Sequence, residues 1–113
     1  MKKPETFEAF RVEKQNGGTS YGVRELPLDS LPAGDLLIRV EYSSLNYKDA
    51  LSATGNPGVT KQYPHTPGVD AVGRVVEQSG GGASPFAAGD RAVVTGFDLG
   101  MDTDGGFAEY VRV

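Results

Sequence analysis

The sequence contains no cysteine, only one histidine, and no apolar run long enough to cross a membrane. The lack of cysteine excludes disulfides and thiolate metal sites, although it does not fix a compartment. A transmembrane helix needs about 20 consecutive apolar residues, and no signal-peptide-like apolar run follows the N-terminal residues 1–5. We therefore expect a cytoplasmic protein with no membrane partner.

The sequence also lacks an excess of basic residues. It carries 11 Lys and Arg against 15 Asp and Glu, so its formal net charge is -4. Nucleic-acid binding needs a basic face that neutralises phosphates. The charge therefore argues against a nucleic-acid partner and favours a small-molecule substrate.

What the chain does contain is typical of one β-rich domain. Its 113 residues suffice for a single core, and 16 Gly and 7 Pro indicate many turns. Residues 36–42 alternate with a period of two, which is the pattern of a strand. We predict a turn at 16–18, a glycine-rich tip at 79–84, and strands at 6–14, 21–26, 36–42, 69–78, 91–95 and 107–113.

One short helix is predicted at residues 46–54. Ser44 or Asn46 can cap its start, and Gly55 can end it in the left-handed region. With about six strands and frequent turns, the pattern favours a mainly β fold, a barrel or a sandwich with a helical insertion. Gly73, inside a predicted strand, indicates the close approach of another backbone.

Three segments carry a resemblance to a known family. They are 43–51 (SSLNYKDAL), 63–73 (YPHTPGVDAVG), and 89–94 (GDRAVV) followed by 105–110 (GGFAEY). In this order and spacing they resemble the medium-chain dehydrogenase/reductase superfamily, in its bacterial quinone oxidoreductase branch of acrylyl-CoA reductase type. The resemblance implies that residues 1–113 form a GroES-like, alcohol-dehydrogenase-like N-terminal domain, a partly open β-barrel with one short helix.

The same resemblance implies parts that this chain does not contain. Family members continue into a Rossmann domain that binds NADPH, and the parent enzyme is expected to be a homodimer. The cluster 80–82 is no dinucleotide fingerprint, because no strand-turn-helix unit follows it. We expect either one domain taken from a longer enzyme or a truncated product, and favour the former.

Comparison with the zinc-dependent relatives implies that this chain holds no metal, because their zinc ligands are replaced. Those relatives carry cysteine where Asn46 stands, His-Glu where Val69-Asp70 stands, and histidine where Leu51 stands. A catalytic zinc needs about three nitrogen, sulfur or carboxylate ligands from the protein, and Asp70 alone cannot hold it. The lone His65 lies between two prolines, and we expect a solvent-exposed or backbone-bonded imidazole there.

The implied chemistry is hydride transfer to a quinone or to the β-carbon of an α,β-unsaturated carbonyl such as acrylyl-CoA. Tyr47 is the predicted catalytic residue, because the family places this tyrosine at the cofactor cleft and a phenol can donate a hydrogen bond or a proton. Asn46 and Tyr47 are the predicted cofactor contacts. Alternatively, Tyr47 packs the helix against the sheet and Asn46 only caps the helix.

The neighbouring polar residues are expected to be structural. Asp49 should serve the helix start through its charge, and Lys48 should be solvated. Asp70 can hydrogen-bond Asn46 or backbone and shape the floor of the site.

Two other readings of the whole chain stay open. It can be a free-standing GroES-like module that binds a partner through its terminal strand edge, or an enoyl-reductase domain of a larger synthase. For residues 1–113 alone we expect no turnover, since half of the cofactor site is missing.

Overall fold

The computed structural model describes residues 3–79, 84–95 and 98–113. The predicted glycine-rich tip at 79–84, with the cluster 80–82, lies almost wholly outside these residues. The described elements, in chain order, are β1 (Thr6–Gln15), β2 (Gly18–Pro27), a 3-10 turn (Leu28–Ser30), β3 (Leu36–Ser43), α1 (Tyr47–Ala53), β4 (Asp70–Gln78), β5 (Arg91–Thr95) and β6 (Tyr110–Arg112).

The first two strands form a long antiparallel hairpin. Gln15 pairs with Gly18, so the turn contains only two residues, and the second of them, Gly17, has φ +85. An Asn-Gly pair suits this turn because both central residues need positive φ. β2 therefore begins at Gly18, earlier than the predicted 21.

The other four strands form an antiparallel sheet in the order β5-β4-β3-β6. A bulge between Val40 and Tyr42 leaves Glu41 as the extra residue of β3. Gly73 faces the bulged strand, and a Cβ at this position would collide with the carbonyl oxygen of Arg39. The predicted close backbone approach is therefore confirmed.

The end of the chain joins the hairpin to this sheet. The Phe107 carbonyl accepts a hydrogen bond from the N–H of Phe10 at 2.8 Å, and Glu109 donates its N–H to the carbonyl of Glu8 at 2.9 Å. Residues 110–112 then pair with β3. The terminal strand thus bonds to both sheets, and the described strands do not close into a barrel. The predicted mainly β, partly open architecture is confirmed.

Two apolar clusters lie on opposite faces of the four-stranded sheet. The first packs the hairpin and the 3-10 turn against it and contains Phe7, Ala9, Leu28, Leu31, Leu37, Val76 and Tyr110. The second contains Leu36, Ile38, Val75, Ala92 and Val111. Because side chains alternate along each strand, β3 and β4 contribute to both clusters.

Neither α1 nor any other helix in the described ranges is sufficiently long and apolar to span a membrane.

Candidate functional site

The site begins where α1 starts. Asn46 is the N-cap residue in extended conformation, and Asp49 faces it across the first turn as in a capping box. The Asn46 N–H donates to Oδ2 of Asp49 at 2.9 Å. This bond satisfies a donor at the positive end of the helix with a negative charge. The predicted helix, its cap at Asn46 and the role of Asp49 at the helix start are confirmed.

Asp49 also binds the helix to the beginning of β4. Its carboxylate is 1 % exposed, and its Oδ1 accepts hydrogen bonds from the N–H groups of Gly68 and Val69, each at 3.1 Å. Buried charge is costly unless it is hydrogen-bonded, and here three backbone donors serve one side chain. Asp49 therefore fixes the position of the helix start relative to residues 68–70.

Asp70 holds the same helix start from its exposed side. Its Oδ2 accepts hydrogen bonds from Oγ of Ser44 at 3.0 Å and from Nδ2 of Asn46 at 3.3 Å. An ionised carboxylate only accepts, so the amide nitrogen of Asn46, not its oxygen, must face Asp70. The predicted contact between Asp70 and Asn46 is present, and Ser44, predicted only as a possible cap, is its third member.

Tyr47 follows Asn46 and is the first residue of α1. Its side chain is 79 % exposed, so it does not pack the helix against the sheet. Lys48 is exposed as predicted. The Tyr47 phenol is therefore exposed to solvent next to a helix start that the carboxylates of Asp49 and Asp70 hold in place.

The residues at the zinc-ligand positions form a poor donor set for zinc. Asn46 and Asp70 are bonded to each other there, and neither Val69 nor Leu51 has a donor atom in its side chain. Within 3–79, 84–95 and 98–113, no group of three or more His, Asp or Glu side chains converges as metal ligands would. The side chains present do not fit a catalytic zinc.

His65 lies in a separate buried cluster. It is 3 % exposed, and its Nε2 lies 2.8 Å from the carbonyl oxygen of Gly100, so Nε2 carries the proton that is donated. Burial lowers the pKa of His65 below its usual value, against the opposing effects of the Gly100 carbonyl and the Asp104 carboxylate. Of the two predictions for this imidazole, the backbone bond is confirmed and solvent exposure is wrong.

Asp104 completes that cluster. Its Oδ1 accepts hydrogen bonds from Nη1 of Arg11 at 2.8 Å and from the N–H of Thr66 at 3.1 Å, and lies 3.7 Å from Nδ1 of His65. No local sequence pattern indicates this cluster, because Arg11 and Asp104 are more than ninety positions apart.

Two surface clefts flank the region of β3 that leads to the helix. One is an apolar groove of ≈ 240 Å³ beside Asp70, lined by residues 42–44 and 70–72. The other is a more open cleft of ≈ 400 Å³ between the hairpin and β3, with Phe10, Val23 and Phe107 among its walls. Only the first borders the Ser44-Asp70 hydrogen bond.

Comparison with known proteins identifies the family. The sequence pattern of the alcohol dehydrogenase GroES-like domain matches residues 32–113. The chain belongs to this family. Individual relatives also confirm its predicted resemblance to medium-chain reductases of the quinone oxidoreductase and acrylyl-CoA reductase type.

The relatives cover nearly all of the chain. It is 38% identical over 109 residues to the acrylyl-CoA reductase AcuI of Ruegeria pomeroyi, covering 95% of this chain and 32% of that protein. YhfP of Bacillus subtilis, which is named as a quinone oxidoreductase, is 36% identical to this chain. The structure of YhfP with NAD bound matches this chain with a TM-score of 0.86, and the match covers 97% of this chain and 32% of YhfP.

A third relative is known with the phosphorylated cofactor. The yhdH oxidoreductase of Salmonella enterica, solved in complex with NADP, is 40% identical with a TM-score of 0.86; the match covers 94% of this chain and 32% of that one. The chain therefore spans about a third of the length of the relatives it matches.

Proposed function

We propose that this chain is the N-terminal catalytic-domain part of a cytoplasmic, NADPH-dependent, zinc-independent oxidoreductase that reduces quinones or α,β-unsaturated carbonyls such as acrylyl-CoA. The observation that carries the proposal is the exposure of Tyr47 beside a rigidly held helix start. A hydroxyl that projects from a fixed backbone and packs against nothing is suited to a ligand.

The residues of the site also fit the nicotinamide end of a cofactor. Asn46 and Tyr47 would hold that end, while the rest of the dinucleotide needs a Rossmann domain that these residues do not include. When bound, NADPH would supply the hydride that is transferred to a quinone or to the β-carbon of an α,β-unsaturated carbonyl. NADPH and a homodimeric parent are expected from family resemblance, and the NADP complex of the Salmonella relative supports the cofactor.

The contribution of this chain is positioning and hydrogen bonding. The Tyr47 hydroxyl donates a hydrogen bond to the acceptor carbonyl, where negative charge develops, or delivers the proton that the α-carbon gains. Asp49 and Asp70 hold the helix start against β4, so the phenol keeps its place without a metal. Conjugated acceptors suit this arrangement because their developing charge can be held by hydrogen bonds.

The test is a substitution in the longer protein that continues beyond residue 113. Tyr47→Phe should lower kcat/KM for NADPH-dependent reduction of quinone and enone acceptors by about a hundredfold, while Tyr21→Phe, at an exposed tyrosine on β2, should leave it unchanged. An unchanged value for Tyr47→Phe would remove Tyr47 from the mechanism. Turnover by purified residues 1–113 alone would contradict the expectation that this chain lacks half of the cofactor site.

The alternative is a free-standing GroES-like module that binds a partner. Its predicted binding edge, the terminal strand, is bonded to both β1 and β3, which weakens this alternative. Light scattering separates the two, since a stable ring or defined complex of the isolated chain would favour the module.

A further inference from the structure

The loop before β6 bonds to the turn before β4 through three backbone N–H groups. The donors belong to residues 105–107 and the acceptors are the carbonyls of residues 66–68, at 2.7, 2.9 and 3.0 Å. We call this contact the glycine seam, because Gly105 and Gly106 lie on one side of it and Gly68 on the other. The position of the turn before β4 therefore depends on the loop before β6.

Two peptide units connect the glycine seam to the Asp49 carboxylate. The Gly68 carbonyl accepts the N–H of Gly106 at 2.9 Å. The N–H of the same peptide unit, on Val69, donates to Asp49 at 3.1 Å. The preceding peptide unit bonds to Phe107 through its carbonyl and to Asp49 through its N–H. Because a peptide unit is planar, a shift of either carbonyl also moves the N–H that Asp49 accepts.

The glycine seam has no room for a Cβ. A Cβ on Gly105 would collide with the carbonyl oxygen of Gly68, and a Cβ on Gly106 would collide with that of Asp70. Gly68 itself has φ +114, a conformation that residues with side chains rarely adopt. Since the colliding atoms belong to the backbone, no change of rotamer relieves the collision. A side chain on the loop must therefore displace the turn before β4.

The Asp49 carboxylate extends this path to the helix start. It is 1 % exposed, and its Oδ2 accepts the N–H of Asn46 at 2.9 Å. Tyr47 is the next residue in the chain. The path from Gly106 to Tyr47 thus consists of backbone hydrogen bonds and one buried side chain, and every group on it is held on both sides.

We propose that Gly105 and Gly106 are positioning residues for Tyr47, acting through the peptide units at Gly68 and the carboxylate of Asp49. The inference rests on the proposed function, since it concerns the place of the Tyr47 hydroxyl relative to the acceptor. A Cβ at either glycine displaces the turn before β4, tilts the N–H groups that Asp49 accepts and moves the helix start. Small displacements of a reacting group are costly to turnover.

The first test is amide NMR of residues 1–113 carrying Gly105→Ala. The signals of Asn46 and Tyr47 should shift together with that of Gly68, because the three amides lie on one path. Signals of Asn46 and Tyr47 that stay in place while that of Gly68 moves would overturn the proposal.

The matched control for this comparison is Gly34→Ala. A Cβ on Gly34 would collide with the backbone of Val113, so this substitution also disturbs backbone packing, but away from the glycine seam. It should leave the signals of Asn46 and Tyr47 in place. Shifts as large as those in Gly105→Ala would assign the effect to a general loss of packing and would overturn the proposal.

Hydrogen exchange in the unmodified chain decides the case in which Gly105→Ala does not fold. If the glycine seam and the bonds to Asp49 open as one unit, the amides of Gly106 and Phe107 should be protected to within about tenfold of those of Gly68 and Val69. Exchange more than about tenfold faster at Gly106 and Phe107 would overturn the proposal, because the seam would then open while Asp49 keeps its donors.

The second test measures turnover in the longer protein. Gly105→Ala should lower kcat/KM for the reduction of quinone and enone acceptors about tenfold, while Gly34→Ala should leave it unchanged at a temperature where both variants are folded. In a Tyr47→Phe background, Gly105→Ala should cost less than about a further twofold, since the hydroxyl that it displaces is already absent. A tenfold loss in both backgrounds would overturn the proposal.

The same kinetics separate this inference from the proposed function. If Tyr47→Phe alone leaves kcat/KM unchanged, the proposed role of Tyr47 fails. The NMR comparison of Gly105→Ala with Gly34→Ala then decides whether the glycine seam sets the helix start.

Discussion

The carboxylates of Asp49 and Asp104 each hold loop residues against the sheets, and the two differ in their hydrogen-bond partners. Among the residues that the structure describes, the hydrogen-bond donors to Asp49 are all backbone N–H groups, those of Asn46, Gly68 and Val69. Asp104 accepts hydrogen bonds from the guanidinium of Arg11 at 2.8 Å and from the N–H of Thr66 at 3.1 Å, and it lies 3.7 Å from Nδ1 of His65. We call these the Asp49 junction and the Asp104 junction.

The difference explains why only one of them belongs to the proposed site. Backbone donors do not titrate, so the partners of Asp49 carry no charge that changes with pH. The Asp104 junction includes a histidine, whose charge changes near neutral pH. No hydrogen bond described here links Asp104 directly to Asn46, Tyr47 or Asp70.

The largest expected effect breaks the Asp49 junction. Asp49→Ala removes the acceptor of three backbone N–H groups, two of which lie on the buried turn before β4, and should lower the free energy of unfolding by about 3 kcal/mol. Urea denaturation of residues 1–113 measures this. Asp29→Ala, at an exposed aspartate of the 3-10 turn, is the control and should be nearly neutral. A loss for Asp49→Ala as small as the control's would show that water replaces the carboxylate.

A smaller effect tests the Asp104 junction through pH. The pKa of His65 is lower in the folded chain than in the unfolded one, chiefly because of burial. The unfolded chain therefore binds the proton more readily, and stability is lost as pH falls below about 6.5, the ordinary value for histidine. Arg11, Asp102 and Asp104 are the charged groups that face the ring.

Urea denaturation between pH 7.5 and 5.5 checks this expectation. The free energy of unfolding should decrease across that range in the unmodified chain, and the decrease should be largely absent in His65→Gln whatever its absolute stability. A decrease of the same size in His65→Gln would assign the effect to other groups.

The smallest expected effect concerns Asp70. Its hydrogen bonds to Ser44 and Asn46 are solvent-exposed, so Asp70→Ala should cost less than about 1 kcal/mol. Amide NMR spectra should nevertheless show shifts at Asn46 and Tyr47, with Thr66 and Asp104 unchanged. Unmoved signals at Asn46 and Tyr47 would mean that the Asp49 junction alone positions the helix start.

Local pattern predicted most of the secondary structure. The strand at 36–42 and the helix at 46–54 agree with β3 and α1 to within one residue at every end, because alternation and capping are properties of neighbouring residues. The segment between the predicted strands 21–26 and 36–42 contains a 3-10 turn whose Leu28 is buried. The predicted strand at 107–113 is regular only from Tyr110 onward, since residues 107–109 bond across to β1 and β3.

The site itself could be predicted only in part. The positions of Asn46 and Tyr47 at a helix start followed from the residues, and the contact between Asn46 and Asp70 was one of two alternatives. The bonds from Asp49 to Gly68 and Val69 span about twenty positions, and no local pattern indicates them.

By itself, the sequence determined the β-rich class and the helix start, because these depend on residue type and near-neighbour spacing. Its resemblance to zinc-dependent relatives added the replacement of their ligands, with Asp70 as the one carboxylate left. Tertiary structure decided what the polar residues do. It buried His65, supplied Asp49 with backbone donors and exposed Tyr47. Strand register determines which side chains are buried and which meet, and register is fixed by packing between segments that lie far apart in the chain.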